Sequence, residues 1–211
     1  MKVNVLLRKI KKDYFKTIEG SKWVGVDYGA YYLIKHGVTP IYAFGDFDSV
    51  TKKELEKIKD ALEIDIVPHK KDFTDFELSL YQLVKKGYRD IDVYGALGGR
   101  LDHEIANIQA LVHKDFVDYD ISLLNEKNIV VSIDNGRHEI TQADGMHYVS
   151  IIPMFEGTRI TLSDLEYEAD DLELEIGKTL TVSNAFIDKQ TPAIIETNKP
   201  LIVIQSRDKA E

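Results

Sequence analysis

Two rhythms of apolar residues take turns along the first 124 positions, and together they restrict the fold more than any other property of the chain. Short runs of strand length stand at Val3–Leu7, Trp23–Asp27, Ile41–Gly45, Ile64–Val67, Ile91–Tyr94 and Ile121–Leu124, with amphipathic stretches between most of them. Thr51-Lys52-Lys53-Glu54 has the capping-box pattern of a helix start and leads into Leu55 and Ile58. Phe76, Leu80, Leu83 and Val84 recur on one helical face that stops before Gly87, and Ile105, Ile108, Ala110, Leu111 and Val112 mark another. Strand alternating with helix predicts a parallel sheet covered on both faces, since every crossover helix must bury its apolar stripe.

After about Asn135 the helical rhythm stops. Short alternating runs follow at Tyr148–Ile152, Arg159–Leu162, Leu172–Ile176, Leu180–Val182, Ala193–Thr197 and Leu201–Gln205. Turn residues such as Asp134-Asn135-Gly136 and Asn198-Lys199-Pro200 punctuate them. This pattern predicts a small antiparallel sandwich or partly open barrel. The expected fold class is therefore a three-layer parallel α/β sheet domain over residues 1–134 followed by a small all-β domain over residues 135–211.

A formal net charge of −9 argues against a protein that tracks nucleic-acid phosphates, which takes a basic, counterion-releasing surface. Cationic small molecules suit the acidic balance better. The absence of cysteine excludes disulfides, zinc-thiolate sites and thiol nucleophiles. Val3–Leu7 is too short for a signal core and no apolar run is long enough to span a bilayer, so a cytoplasmic protein without a membrane partner is expected.

In parallel α/β sheets ligands lie beyond the carboxyl ends of the strands. Four strand-end segments there carry chemistry. Asp27 closes the run Trp23–Val26, and Gly45-Asp46-Phe47-Asp48-Ser49 places two carboxylates two residues apart after Ile41–Phe44. Oxygen ligands of this kind suit Mg²⁺ bridging to substrate phosphates. Lys70-Lys71-Asp72-Phe73-Thr74-Asp75 adds cations and carboxylates just before a helix, where either aspartate can serve as the cap. Gly95-Ala96-Leu97-Gly98-Gly99-Arg100-Leu101-Asp102-His103 brings glycines for close backbone approach, a helix start and a planar guanidinium. It has neither Walker A nor Rossmann register. Asp102 is placed to cap the following helix. The set points to phosphoryl transfer, which is mostly positioning and charge neutralisation.

Asp27-x-Gly29-Ala30, Gly45–Ser49, Lys71-Asp72-x-Thr74-Asp75 and Gly95-x-x-Gly98-Gly99-Arg100-x-Asp102-His103, in this order and ahead of an all-β tail, resemble thiamine pyrophosphokinase. The resemblance implies transfer of a diphosphoryl group from ATP to thiamine, giving thiamine diphosphate and AMP, with Mg²⁺ as cofactor and a homodimer with active sites at the subunit interface. By the same resemblance Asp46, Asp48 and Asp75 hold the metal, and Asp27, Lys71, Asp72, Thr74, Gly98, Gly99 and Arg100 lie along the nucleotide. Asp102, Asp75 and Arg100 are then the catalytic group, Asp102 being the proton acceptor. Asp102, His103 and the tail residues Ser183 and Asn184 face thiamine. Two positions depart from the family pattern: Leu6-Leu7-Arg8-Lys9 stands where a glycine pair is usual, and Tyr28 replaces a glycine or basic residue. A haloacid-dehalogenase-type phosphatase, with Asp46 as nucleophile, and a non-catalytic thiamine or nucleotide regulator are the rival readings.

Overall fold

A computed structural model describes residues 1–18, 22–62 and 73–208. The expected strand Ile64–Val67 and the candidates Lys71 and Asp72 lie outside the described residues. The chain forms two compact units, the first comprising residues 1–107 and 119–125, the second residues 108–118 and 126–211.

In the first unit β1 (Lys2–Leu6), β2 (Trp23–Val26), β3 (Tyr42–Phe44), β4 (Asp90–Tyr94) and β5 (Asp120–Leu124) run parallel in the order β5-β4-β1-β2-β3. The helices are α1 (Lys12–Thr17), α2 (Tyr28–Lys35), α3 (Lys52–Ala61), α4 (Asp75–Lys85) and α5 (Leu101–Ala110). Strand order reverses between β1 and β4, so the crevice where such sheets bind ligands opens between the loops after these two strands. Leu6, Phe15, Trp23, Tyr32, Leu33 and Tyr94 form one apolar core, and Ala30, Tyr31, Ala43, Phe47 and Ile58 another. Tyr28 packs against both.

The capping box forms as expected: Thr51 Oγ1 accepts from the Glu54 N–H, and Glu54 Oε2 accepts from the Thr51 N–H at 2.8 Å. Two cap assignments change. The cap of α4 is Thr74, whose hydroxyl accepts from the Glu77 N–H at 3.2 Å, and Asp75 stands in the first turn. The helix α5 already starts at Leu101, which puts Asp102 inside it rather than at its cap.

In the second unit β6 (Asn128–Ile133), β8 (Tyr148–Pro153), β11 (Asn184–Ala185) and β13 (Leu201–Ser206) make one antiparallel sheet, ordered β11-β8-β13-β6. A second antiparallel sheet, β10-β9-β12-β7, consists of β7 (Gly136–Ile140), β9 (Thr158–Ser163), β10 (Ala169–Leu174) and β12 (Ala193–Thr197). Both contribute to one core, with Val149, Ile151 and Val203 from the first meeting Ile160, Leu162 and Ile195 from the second. This is a β sandwich. Along β9 buried and half-buried residues alternate strictly, the period expected of a sheet with one face covered.

The strand β6 pairs over its whole length with β13, so pairing within the second unit begins before the division expected at 134/135. Leu180–Val182 is a turn and not a strand: Leu180 and Val182 are 70% and 45% exposed, while Thr181 is buried and donates its hydroxyl to the Ile151 carbonyl at 2.5 Å. Among the described residues no helix is long and apolar enough to cross a membrane.

Candidate active site

The ends of β2 and β3 and the start of α4 place three carboxylates together in the first unit. Asp27 follows β2 directly, with its backbone at φ 46°, and its Oδ1 accepts from the Phe47 N–H at 3.1 Å. Gly45, after β3, has φ +123°, and a Cβ there would collide with Asp27 Oδ1; only glycine lets the two loops close. Asp46 is next, and Thr74, as cap of α4, fixes Asp75 at its first turn. One oxygen from each of Asp27, Asp46 and Asp75 lies within 4.8 Å of the others.

Burial and the Asp75 charge, only partly offset by the Phe47 N–H, push the Asp27 carboxyl up to about 7. Half-buried carboxylates at this spacing repel one another, and a hard divalent cation relieves that repulsion. With oxygen donors alone and neither imidazole nor thiolate in the group, the residues fit Mg²⁺.

The group of three close carboxylates contains Asp46 and Asp75 of the expected metal set together with Asp27, and does not contain Asp48. Asp48 is exposed; its N–H donates to Asp46 Oδ1 at 3.0 Å, which orients Asp46. The reason is local: Phe47 is buried with φ 60°, and this left-handed residue turns the chain so that Asp48 faces solvent. Nothing in the D-x-D spacing reveals that turn.

The loop after β4 forms the other part of the site. A cavity of about 390 Å³ is lined by Asp27, Thr74 and Asp75 together with Gly95, Gly99 and Arg100. His103, Asn107 and Arg8 also line it. Buried Asn107 donates its Nδ2 to the Ala96 carbonyl at 3.1 Å, and Arg8 Nε donates to the Gly95 carbonyl at 2.7 Å. Gly95 and Gly98 both take positive φ, at 79° and 81°. At the start of α5, Arg100 grips Asp102 through two bonds, Nε to Oδ1 at 3.1 Å and Nη2 to Oδ2 at 2.6 Å. This pairing pulls the Asp102 carboxyl down to about 2. Asn107 is the site residue that motif reading leaves without a role, since an asparagine inside a helix carries no pattern of its own.

In the second unit Ser183 and Asn184 do different work. Asn184 is buried and its amide clamps Tyr167, accepting from the Tyr167 N–H at 3.0 Å and donating to its carbonyl at 2.7 Å. Ser183 is exposed, with φ 60°, and its own N–H donates to Ser150 Oγ at 2.9 Å. Of the pair, Ser183 is the one at the surface.

Comparison with known proteins covers both units. Residues 16–123 match the family described as "Thiamin pyrophosphokinase, catalytic domain", and residues 137–202 match "Thiamin pyrophosphokinase, vitamin B1 binding domain". The thiamine pyrophosphokinase of Bacillus subtilis (strain 168) is 34% identical over 173 residues, 81% of this chain and 81% of that protein. The thiamin pyrophosphokinase 1 of Caenorhabditis elegans is 28% identical over 157 residues, and the match spans 62% of its length. A crystal structure of the Bacillus subtilis enzyme superposes with a TM-score of 0.86 at 30% identity, covering 99% of this chain and 100% of that one. The Candida albicans thiamin pyrophosphokinase structure shares the fold, with a TM-score of 0.82 at 18% identity over 98% of this chain and 89% of its own.

Proposed function

The chain belongs to the thiamine pyrophosphokinase family, and we propose that the strand-end cavity of its first unit is where it transfers the diphosphoryl group of ATP to the hydroxyl of thiamine. The products are thiamine diphosphate and AMP. The observation that carries this reading is the meeting of Asp27 and Asp46, after β2 and β3, with Asp75 at the start of α4, Asp27 and Asp75 lining the same cavity as the Gly95–Arg100 loop.

Asp27, Asp46 and Asp75 would hold Mg²⁺, which supplies charge neutralisation for the phosphate chain. The residues of the chain do the rest. Gly98, Gly99 and the start of α5 offer backbone N–H groups to phosphate oxygens, and Lys71, Asp72 and Thr74 belong to the nucleotide side by family resemblance. Arg100 is shared between two tasks. While it grips Asp102 it holds that carboxylate ionised; when its fork turns to a phosphoryl oxygen, Asp102 loses the partner that keeps its basicity low. Asp102 then accepts the proton of the attacking hydroxyl as the new P–O bond forms at the β-phosphorus and the bridging oxygen leaves with AMP. His103 lines the cavity beside it. Ser183 contributes to thiamine binding from a homodimer, whereas Asn184 acts by holding Tyr167 in place.

The rival phosphatase reading has no support from the comparisons, and Asp46 follows β3 rather than the first strand as that class requires. The test is a reaction of the purified protein with ATP, thiamine and Mg²⁺, each omitted in turn. AMP that forms only with all three is expected; ATP breakdown indifferent to thiamine overturns the assignment.

A further inference from the structure

The switch point of the sheet is flanked by the loops after β1 and β4, and in this chain the first of them carries an arginine. Its guanidinium crosses to the second loop: Arg8 Nε donates to the Gly95 carbonyl at 2.7 Å and Nη2 donates to the Leu97 carbonyl. Asn107 takes the carbonyl between them, that of Ala96. Three successive carbonyl oxygens, each of which would repel a phosphate, are thereby turned onto donors. Nη1 lies against Gly99, where any Cβ would meet it, so a larger residue at position 99 would make the fork shift. Both hydrogen-bond partners of Arg8 are neutral, and it is half-buried in the wall of the cavity. A partly desolvated guanidinium without a counter-ion among the described residues favours an anion, and its planar fork suits phosphate oxygens.

Resting on the function proposed above, we infer that Arg8 is a nucleotide-binding residue. It neutralises the carbonyl face of the Gly95–Arg100 loop and gives its remaining Nη1 donors to a phosphate oxygen of ATP.

The test uses the variants R8Q and R8K. R8Q keeps a donor for the loop and loses the charge; R8K keeps the charge and loses the fork. R8Q should raise the KM for ATP by at least about tenfold, the range for a lost charge-assisted hydrogen bond, and leave the KM for thiamine unchanged. R8K should recover part of that loss. An unchanged KM for ATP in R8Q overturns the inference, as does an equal rise in both constants, which would mark Arg8 as a staple of loop shape alone. Calorimetric titration with Mg·ATP and with adenosine separates this result from the function itself. A wild-type protein that makes no AMP contradicts the proposed reaction, yet R8Q must still lose affinity for ATP and keep it for adenosine if Arg8 touches phosphate. Equal weakening for both ligands overturns it. Should R8Q fail to fold, R8K decides: ATP affinity equal to wild type would exclude the fork contact.

Discussion

Asp27 bears opposing demands, because its left-handed backbone and half-buried carboxyl serve a charge that the metal-free protein disfavours. Its carboxyl is raised to about 7, whereas in an unfolded chain it returns to about 3.9. Between those values the folded state holds a proton that the unfolded state lacks. The stability this provides is complete below about pH 4 and is lost as pH rises through about 7. Asp27→Asn keeps an oxygen for the Phe47 N–H and tolerates positive φ. It should therefore raise the melting temperature of the metal-free protein at pH 8, leave it unchanged at pH 4, and weaken Mg²⁺ binding. A melting point lowered at pH 8 would contradict the account. The metal group also ranks its neighbours: Asp75→Asn should cost more than about 100-fold in rate, beyond the usual loss for an outer partner, and Asp48→Asn less. Similar losses for both would restore Asp48 to the metal. At this scale the sequence announces the carboxylates and the meeting of Asp46 with Asp75, but not the place of Asp27 beside them, since the turn at Phe47 that sends Asp48 to solvent leaves no mark in residue spacing.

At the scale of elements, the local signals that could be read were those in which side chain and backbone cooperate within a few residues. The capping box at Thr51 and the stop at Gly87 are of this kind, and Gly87 does close α4 with its N–H on the Val84 carbonyl at 2.9 Å. Thr74 was harder, because aspartates on both sides compete with it as caps. Thr74→Ala should cost about 1 kcal/mol in denaturant unfolding and also weaken Mg²⁺ binding, since the first turn of α4 carries Asp75. Loss of stability with intact metal affinity would separate the cap from the site. In β11 and the residue before it, Asn184→Ala should destabilise by about 1–3 kcal/mol, as both backbone groups of Tyr167 lose a partner. Ser183→Ala should instead leave stability unchanged and raise the KM for thiamine more than that for ATP. Equal effects on the two constants would remove Ser183 from the thiamine site.

For the molecule as a whole, the change from helical to alternating apolar spacing conveyed both fold classes, because burial on one stripe or one face is a property of the whole chain. Where the units divide was less legible. The strand β6 has apolar Ile129, Val130 and Val131 in a row, a run that suits a strand with either neighbour, and its pairing with β13 depends on residues some seventy positions away. The loops after β2, β3 and β4 were recognisable because parallel topology gathers them at one edge; the arginine bridge from Arg8 was not, because it depends on strand order and on the space left by Gly99. The central claim is that this site moves a diphosphoryl group rather than a single phosphoryl group. It is tested most directly by tracing ATP labelled at the β-phosphorus through a single turnover with thiamine and Mg²⁺. The label should appear in thiamine diphosphate with an equimolar amount of unlabelled AMP. Label retained in ADP, with thiamine monophosphate as the first product, would contradict it.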